Sequence, residues 1–259
     1  GAVPFHMWVP DVYDGAPTSV TAFVGTAPKI AAVVFAFRIL ITGMDTIHSD
    51  WAPMLAILAV ASLVVGNLAA IMQTNIKRML AYSTVSHMGF ILLAFMAGAV
   101  GFTAGLYYAI TYAVMAAVSF GVLMVLSTKD IECEEIKDLA GLNHRHAWFA
   151  FLMLLSMFSM AGIPPLMGFY AKFGVIMALL KQGHVWLSVF AVIMSLIGAF
   201  YYLRVVKVIY FDAPDHDQPV GSNYAAKFVL TVNAFLLLLW GIMPQTVIDW
   251  CAKALENTL

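Results

Sequence analysis

The chain has 259 residues, of which 63% are hydrophobic and only 10% charged, where a soluble domain carries about 25% charged residues; a water-soluble fold is excluded. A net charge of −1 with no basic field excludes nucleic acid as a partner and leaves the lipid bilayer. Cys133 and Cys251 form no CxxC pair, so neither a disulfide framework nor a metal site is indicated, and no cofactor is expected in this chain.

Residues 1–16 read as a loop from the middle of a longer protein, with no signal peptide before them. Apolar stretches of the length needed to cross a bilayer, about 20 residues, follow at 17–42, 53–77, 79–100, 102–127, 147–163, 164–181, 184–211 and 225–248. The alternating pattern of a membrane barrel is absent, so the fold class is all-α, a polytopic transmembrane helical bundle. Residues 128–146 carry mixed charge, with Ile131, Ile136, Leu139 and Leu142 near helical spacing; a short surface helix and a solvated loop both fit. Residues 212–224, rich in Asp, Pro and Gly, form a second polar link. Lys129, Lys137 and Arg145 are expected on one face of the membrane. Arg204, Lys207 and Lys227 are expected on the other, so the positive-inside rule does not fix the orientation.

All fourteen carboxylates fall outside the apolar stretches, but the lysines do not. Lys29 and Lys172 sit midway along theirs, where a charge costs at least about 2.5 kcal/mol and marks an ion or proton path. Each lies among helix breakers: Gly25 and Pro28 before Lys29, and Gly162, Pro164, Pro165, Gly168 and Gly174 around Lys172. Two interrupted segments of this kind predict an antiporter-like inverted repeat with two discontinuous helices. The competing explanation is a proline kink with a lysine snorkelling to the headgroups. Lys77 is compatible with a helix end anchored at the interface, or with a hydrated path lined by Gln73, Asn75, Ser83, Ser86 and His87. His87, the one histidine inside an apolar run, is a relay or a satisfied core residue; the other histidines lack metal-ligand spacing. A buried lysine exchanges its proton as hydration changes, whereas arginine keeps its own. With no acid inside the spans, the counter-charge for these lysines is expected from outside this chain.

The segments FHMWVPDVYDGAPTSVTAFVGTAPKIAA (5–32), QTNIKRMLAYSTVSHMGF (73–90) and MAGIPPLMGFYAKFGV (160–175) resemble the antiporter-like membrane subunits of respiratory complex I, nearest to their N-type branch. The resemblance spans the chain and implies the last eight of fourteen helices of a subunit in a bacterial inner membrane. That subunit would sit in a hetero-oligomer with other membrane-arm subunits. Quinone reduction by NADH elsewhere in the assembly would drive proton translocation, with NADH, FMN, iron–sulfur clusters and quinone held by other subunits. It implies that Lys29 is the lysine of the first broken helix, Lys77 the central lysine of the next helix, and Lys172 the lysine of the second broken helix. Those three would relay protons, with His87, Tyr82, Ser83 and Tyr112 as a secondary polar axis. In this family the first lysine pairs with a glutamate that would lie upstream of Gly1. One departure is Thr111–Ala116, where L- and M-type subunits and sodium/proton antiporters carry T-H-x-x-x-K; here Tyr112 is the only titratable group. This favours the N-type branch over a Mrp-type cation/proton antiporter subunit; a purely structural membrane-arm subunit is the second alternative.

Overall fold

A computed structural model describes residues 1–127, 132–214 and 224–256, and it is all-α. The helices are α1 (Trp8–Gly15), α2 (Thr18–Val24), α3 (Ala27–Arg38), α4 (His48–Met72), α5 (Ile76–Met96) and α6 (Gly98–Leu126). They continue as α7 (Leu142–Ala161), α8 (Met167–Lys181), α9 (Val185–Phe211), α10 (Tyr224–Ile242) and α11 (Pro244–Glu256). Among the described residues, six helical segments are long and apolar enough to cross a membrane, including Thr18–Arg38, which is α2 and α3 taken together. α5 and α6 form the centre, and their span windows are 83% and 67% buried against 22–33% for the others.

Several boundaries depart from the hydropathy pattern. The expected N-terminal loop contains α1, with Val9 and Tyr13 fully buried beneath it. The stretch 53–77 ends at Met72, because Asn75 caps a new helix: its side chain accepts from the Arg78 backbone N–H at 3.0 Å. Lys77 therefore opens α5 rather than closing the helix before it, and α4, the helix next after Lys29, contains no lysine. The stretch 225–248 stops at Ile242, where Pro244 starts the separate α11, with Val247 and Cys251 buried and Trp250 exposed. Of the 128–146 segment, residues 128–131 lie outside the described residues. The rest is a single 3-10 turn at Ile136–Leu139 followed by α7, whose first turn is set off by an extended His146. Most of the 212–224 link, residues 215–223, also lies outside the described residues.

The stretches 147–163 and 164–181 are the two halves of one crossing. The Gly141 N–H, just before α7, donates to the Val208 carbonyl near the end of α9 at 3.2 Å, while α8 runs directly into the start of α9. α9 is 27 residues long, about 40 Å, so α7 enters at one end of the bundle and α8 leaves at the other. The chain breaks between them at Gly162, whose φ of +88° suits glycine, and continues through Pro164 and Pro165. α2 and α3 are likewise separated at Gly25–Thr26. Both expected discontinuous helices are therefore present.

One end of the bundle is tied together by backbone and arginine contacts. Arg204 of α9 donates to the Ile71 and Gln73 carbonyls at 2.9 and 2.6 Å, covering the last carbonyls of α4. Ile76 N–H donates to Glu134 O and Ile136 N–H to Thr74 O, holding the segment 134–136 against the start of α5. Lys137, Arg145, Arg204 and Lys207 thus share this end. The expectation that they lie on opposite faces is corrected, because a polar loop folds back over helix ends in a way that hydropathy does not record.

Candidate functional site

The interior polar groups are organised around His87, in the middle of α5 and 3% exposed. Its Nδ1 lies 2.7 Å from the Tyr108 hydroxyl of α6 and its Nε2 3.0 Å from the Tyr202 hydroxyl of α9. A neutral imidazole donates from one nitrogen and accepts at the other, so one tyrosine accepts a hydrogen bond and the other gives one. Tyr112, one helical turn after Tyr108, lies ring to ring with His87 at 5.1 Å, and its hydroxyl meets Thr84 at 2.5 Å. Beyond Tyr202, Tyr201, whose ring lies tilted against it at 4.4 Å, donates to Asn67 Oδ1 at 3.0 Å, and Asn67 Nδ2 donates to the Leu63 and Met194 carbonyls. Groups from α4, α5, α6 and α9 thus satisfy one another where lipid and packed side chains offer no alternative.

Lys172, 8% exposed, approaches this network from the second broken helix. Its Nζ donates to the Ala161 carbonyl and to Ser195 Oγ, each at 3.0 Å, and lies 5.6 Å from the centre of the Phe90 ring. The break explains the first partner, since the carbonyls at the end of α7 have no following turn to accept from. A cavity of about 10 Å³, the room of a single water, lies between Lys172 and His87 and is lined also by Ser86, Ser195, Asn67 and Tyr202. Lys29 approaches from the first broken helix. Its Nζ is buried without a hydrogen-bond partner and lies 5.3 and 5.2 Å from the ring centres of Tyr13 and Tyr112. An apolar cleft of about 410 Å³, lined by Pro28, Val33, Met88 and Ile91, runs alongside it.

Lys77 is placed elsewhere. It lies ten residues before His87 on α5, about 15 Å along the axis, at the end of the bundle that carries residues 132–141. It is 1% exposed and makes ion pairs with Glu132 at 2.7 Å and Glu134 at 3.0 Å. Glu132 also accepts from Thr18 Oγ1 at the start of α2. Beside this pair Arg78 reaches Asp11 and Asp14, and Asn75 Nδ2 donates to Asp14. The expectation that the counter-charge lies wholly outside this chain is therefore corrected for Lys77. So is its place in the middle of the helix after α3.

The sequence-derived candidates thus divide. Lys29, Lys172, His87 and Tyr112 are brought together in the interior. Lys77 is not among them, and Tyr82 is only partly buried with no hydrogen bond to the His87 group, while Ser83, whose hydroxyl donates to the Leu80 carbonyl, also lies within reach of Tyr202. Sequence reasoning missed Tyr13, Tyr108, Tyr201, Tyr202, Asn67 and Ser195, together with the carboxylates of Glu132 and Glu134. A signal was present for some of them: Asn67 is a carboxamide well inside an apolar run, and Tyr108 and Tyr112 recur at helical spacing. No group of three or more potential metal ligands occurs among the described residues. Burial pushes the Cys133 thiol up to about 12 and the Cys251 thiol up to about 11, so neither is a thiolate near neutral pH.

The hydrogen bond from Lys77 holds the Glu132 carboxyl below its ordinary value of 4.5, against the opposing effect of burial and with help from Thr18. A carboxyl depressed in the folded state adds stability above its unfolded value, and that stability is lost as pH falls through the folded one. The protection of the amides at 134–136 against hydrogen–deuterium exchange, taken relative to the intrinsic rate at each pH, is therefore expected to be high at neutral pH and to fall below about pH 4. In a Lys77→Met variant it should be low throughout. Equal protection in the variant and the parent would rule out the ion pairs as the tie.

Residues 1–198 match the family described as NADH:quinone oxidoreductase/Mrp antiporter, TM. The chain is 82% identical over 260 residues to NADH-quinone oxidoreductase subunit N of Neisseria gonorrhoeae and 52% identical over 259 residues to that of Nitrosomonas europaea. In each case it is covered in full and spans 54% of the relative, about half its length. Among solved structures, a chain of respiratory complex I from Thermus thermophilus superposes with a TM-score of 0.83 at 31% identity, over 96% of this chain and 55% of that one. A chain of the Mrp complex from Dietzia sp. DQ12-45-1b shares the fold, with a TM-score of 0.88 at 22% identity over 99% of this chain and 56% of its own. With its two broken helices, its buried lysines and a match over residues 1–198, the chain belongs to the NADH:quinone oxidoreductase/Mrp antiporter transmembrane family.

Proposed function

We propose that this chain is part of subunit N of a bacterial NADH-quinone oxidoreductase. It would be a multi-pass inner-membrane subunit working with the other membrane-arm subunits, and it would carry protons while quinone is reduced by NADH elsewhere in the assembly. The observation that carries this reading is the pairing of two buried ammonium groups, Lys29 and Lys172, on either side of a histidine held by two tyrosine hydroxyls. Such a set has donors and acceptors in series and no carboxylate to trap a proton. The relatives named subunit N support the assignment to that subunit. Protons would pass between Lys29 and Lys172 through the Tyr108 and Tyr202 hydroxyls on the two nitrogens of His87 and the small cavity beside Ser195. Lys77 is left out of that path, and its role would be to tie the 132–136 segment to α5.

The reading is tested in inside-out membrane vesicles by measuring proton uptake for each NADH oxidised. His87→Leu is expected to lower pumping about a hundredfold, the lower end of the range attributed to one positioned acid–base group, with the complex still assembled. Pumping at the parental level by an assembled His87→Leu complex would exclude this path.

A further inference from the structure

The Lys29 side chain is held in an unusual way. Its ammonium has no hydrogen-bond acceptor, yet it is enclosed by two aromatic faces at 5.3 and 5.2 Å, inside the distance of about 6 Å at which a ring quadrupole attracts a cation. The enclosure is built from several elements. Tyr13 is fully buried on α1, packs edge-on against Phe120, and has its carbonyl tied to Thr21 Oγ1 of α2. Gly25, at the break before Lys29, leaves room for the Tyr13 hydroxyl, which a side chain there would approach to 3.2 Å. Tyr112 is fixed from the other side by its hydroxyl bond to Thr84.

We propose that Tyr13 and Tyr112 form an aromatic clamp, a pair of positioning residues that hold the protonated Lys29 side chain by their ring faces. An aromatic face attracts a cation without accepting a proton. The three N–H groups therefore stay available to a partner entering along the adjacent cleft, or to the His87 side. A carboxylate in the same place would hold the proton as well as the charge. Because the Tyr112 ring also lies 5.1 Å from the His87 ring, the clamp sets where the Lys29 charge sits relative to the histidine. The inference rests on the proton-path reading given above.

Tyr13 is the position to test, since its hydroxyl reaches only the Thr84 and Tyr112 hydroxyls, which already bond each other, and its ring can be altered with those two kept in place. In the assembled complex, Tyr13→Phe should pump as the parent does, and Tyr13→Leu should lose roughly three- to tenfold. Mono-, di- and trifluorinated phenylalanine at position 13 keep the ring's size while withdrawing charge from its face, so pumping should fall stepwise along that series. Two results would overturn the clamp: a flat fluorine series, or a Phe variant as poor as the Leu variant. A Lys29→Met complex run in parallel separates the two claims. If it fails to pump while Tyr13→Leu pumps normally, only the clamp is lost; if it pumps normally, the proton-path reading and the clamp fall together.

Discussion

Exchanging Lys172 for methionine is expected to cut proton pumping by about a hundredfold, the lower range for removing a positioned proton donor and acceptor outright. Methionine fills much of the same volume and restores neither bond, to the Ala161 carbonyl or to Ser195 Oγ. The more telling exchange is Lys172→Arg. Arginine keeps a positive charge and can still donate to both partners, but it does not give up its proton near neutral pH. If Lys172 carries protons, the arginine variant should pump as poorly as the methionine variant while the complex assembles and oxidises NADH. Near-parental pumping by the arginine variant would mean that Lys172 contributes only a fixed charge. The readout is proton uptake per NADH in inside-out vesicles, with assembly checked on native gels.

A second large effect is expected at Gly241, although no titratable group is involved. This glycine of α10 presses directly against the break in the second discontinuous helix. A Cβ added there would collide with the Pro165 carbonyl oxygen and stand 2.7 Å from backbone atoms of Leu166 and Met167. All three neighbours are backbone, which cannot rotate aside as a side chain would. α10 or the break itself must move, at a cost of about 1–3 kcal/mol for the alanine and more for a branched residue. The break sets the Ala161 carbonyl and, one turn into α8, the Lys172 ammonium, so the displacement should reach the proton path as well as stability. Gly241→Ala is expected to lower the unfolding temperature of the detergent-solubilised protein and to reduce pumping, and Gly241→Val to prevent assembly. A Gly241→Val complex that assembles with normal thermal stability would refute this packing.

What was legible in the sequence were the features that violate the chemistry of a lipid interior. Lys29 and Lys172 stood out because a charge in an apolar run is costly, and the glycines and prolines beside them announced both breaks. Lys77 was misplaced because a hydropathy window runs smoothly through Met72, Gln73 and Asn75, whereas the chain responds to one side chain, the Asn75 cap. The carboxylates that neutralise Lys77 were visible but were assigned to solvent, since nothing in sequence spacing shows that residues 132–136 return to the start of α5, 55 positions away. The tyrosines were hidden by their own duality. Counted as apolar they fill the core, and only the fold reveals that Tyr108 and Tyr202 meet the two nitrogens of one histidine across 21 and 115 positions of chain. The two predicted spans 147–163 and 164–181 were each nearly long enough to cross alone, and only the contact between Gly141 and Val208 joins them into a single passage.

The two hydrogen bonds of His87 also bear on how fast such a path can run. A proton that arrives at one ring nitrogen and departs from the other leaves the imidazole in its opposite tautomer, with the hydroxyls of Tyr108 and Tyr202 both turned around. A second proton cannot follow in the same direction until those groups have rotated back. A water-filled pore has no such memory and lets protons stream. Here each passage has to be followed by a reset, so the histidine would act as a counter that admits protons one at a time, and its pace could be matched to a slow driving reaction.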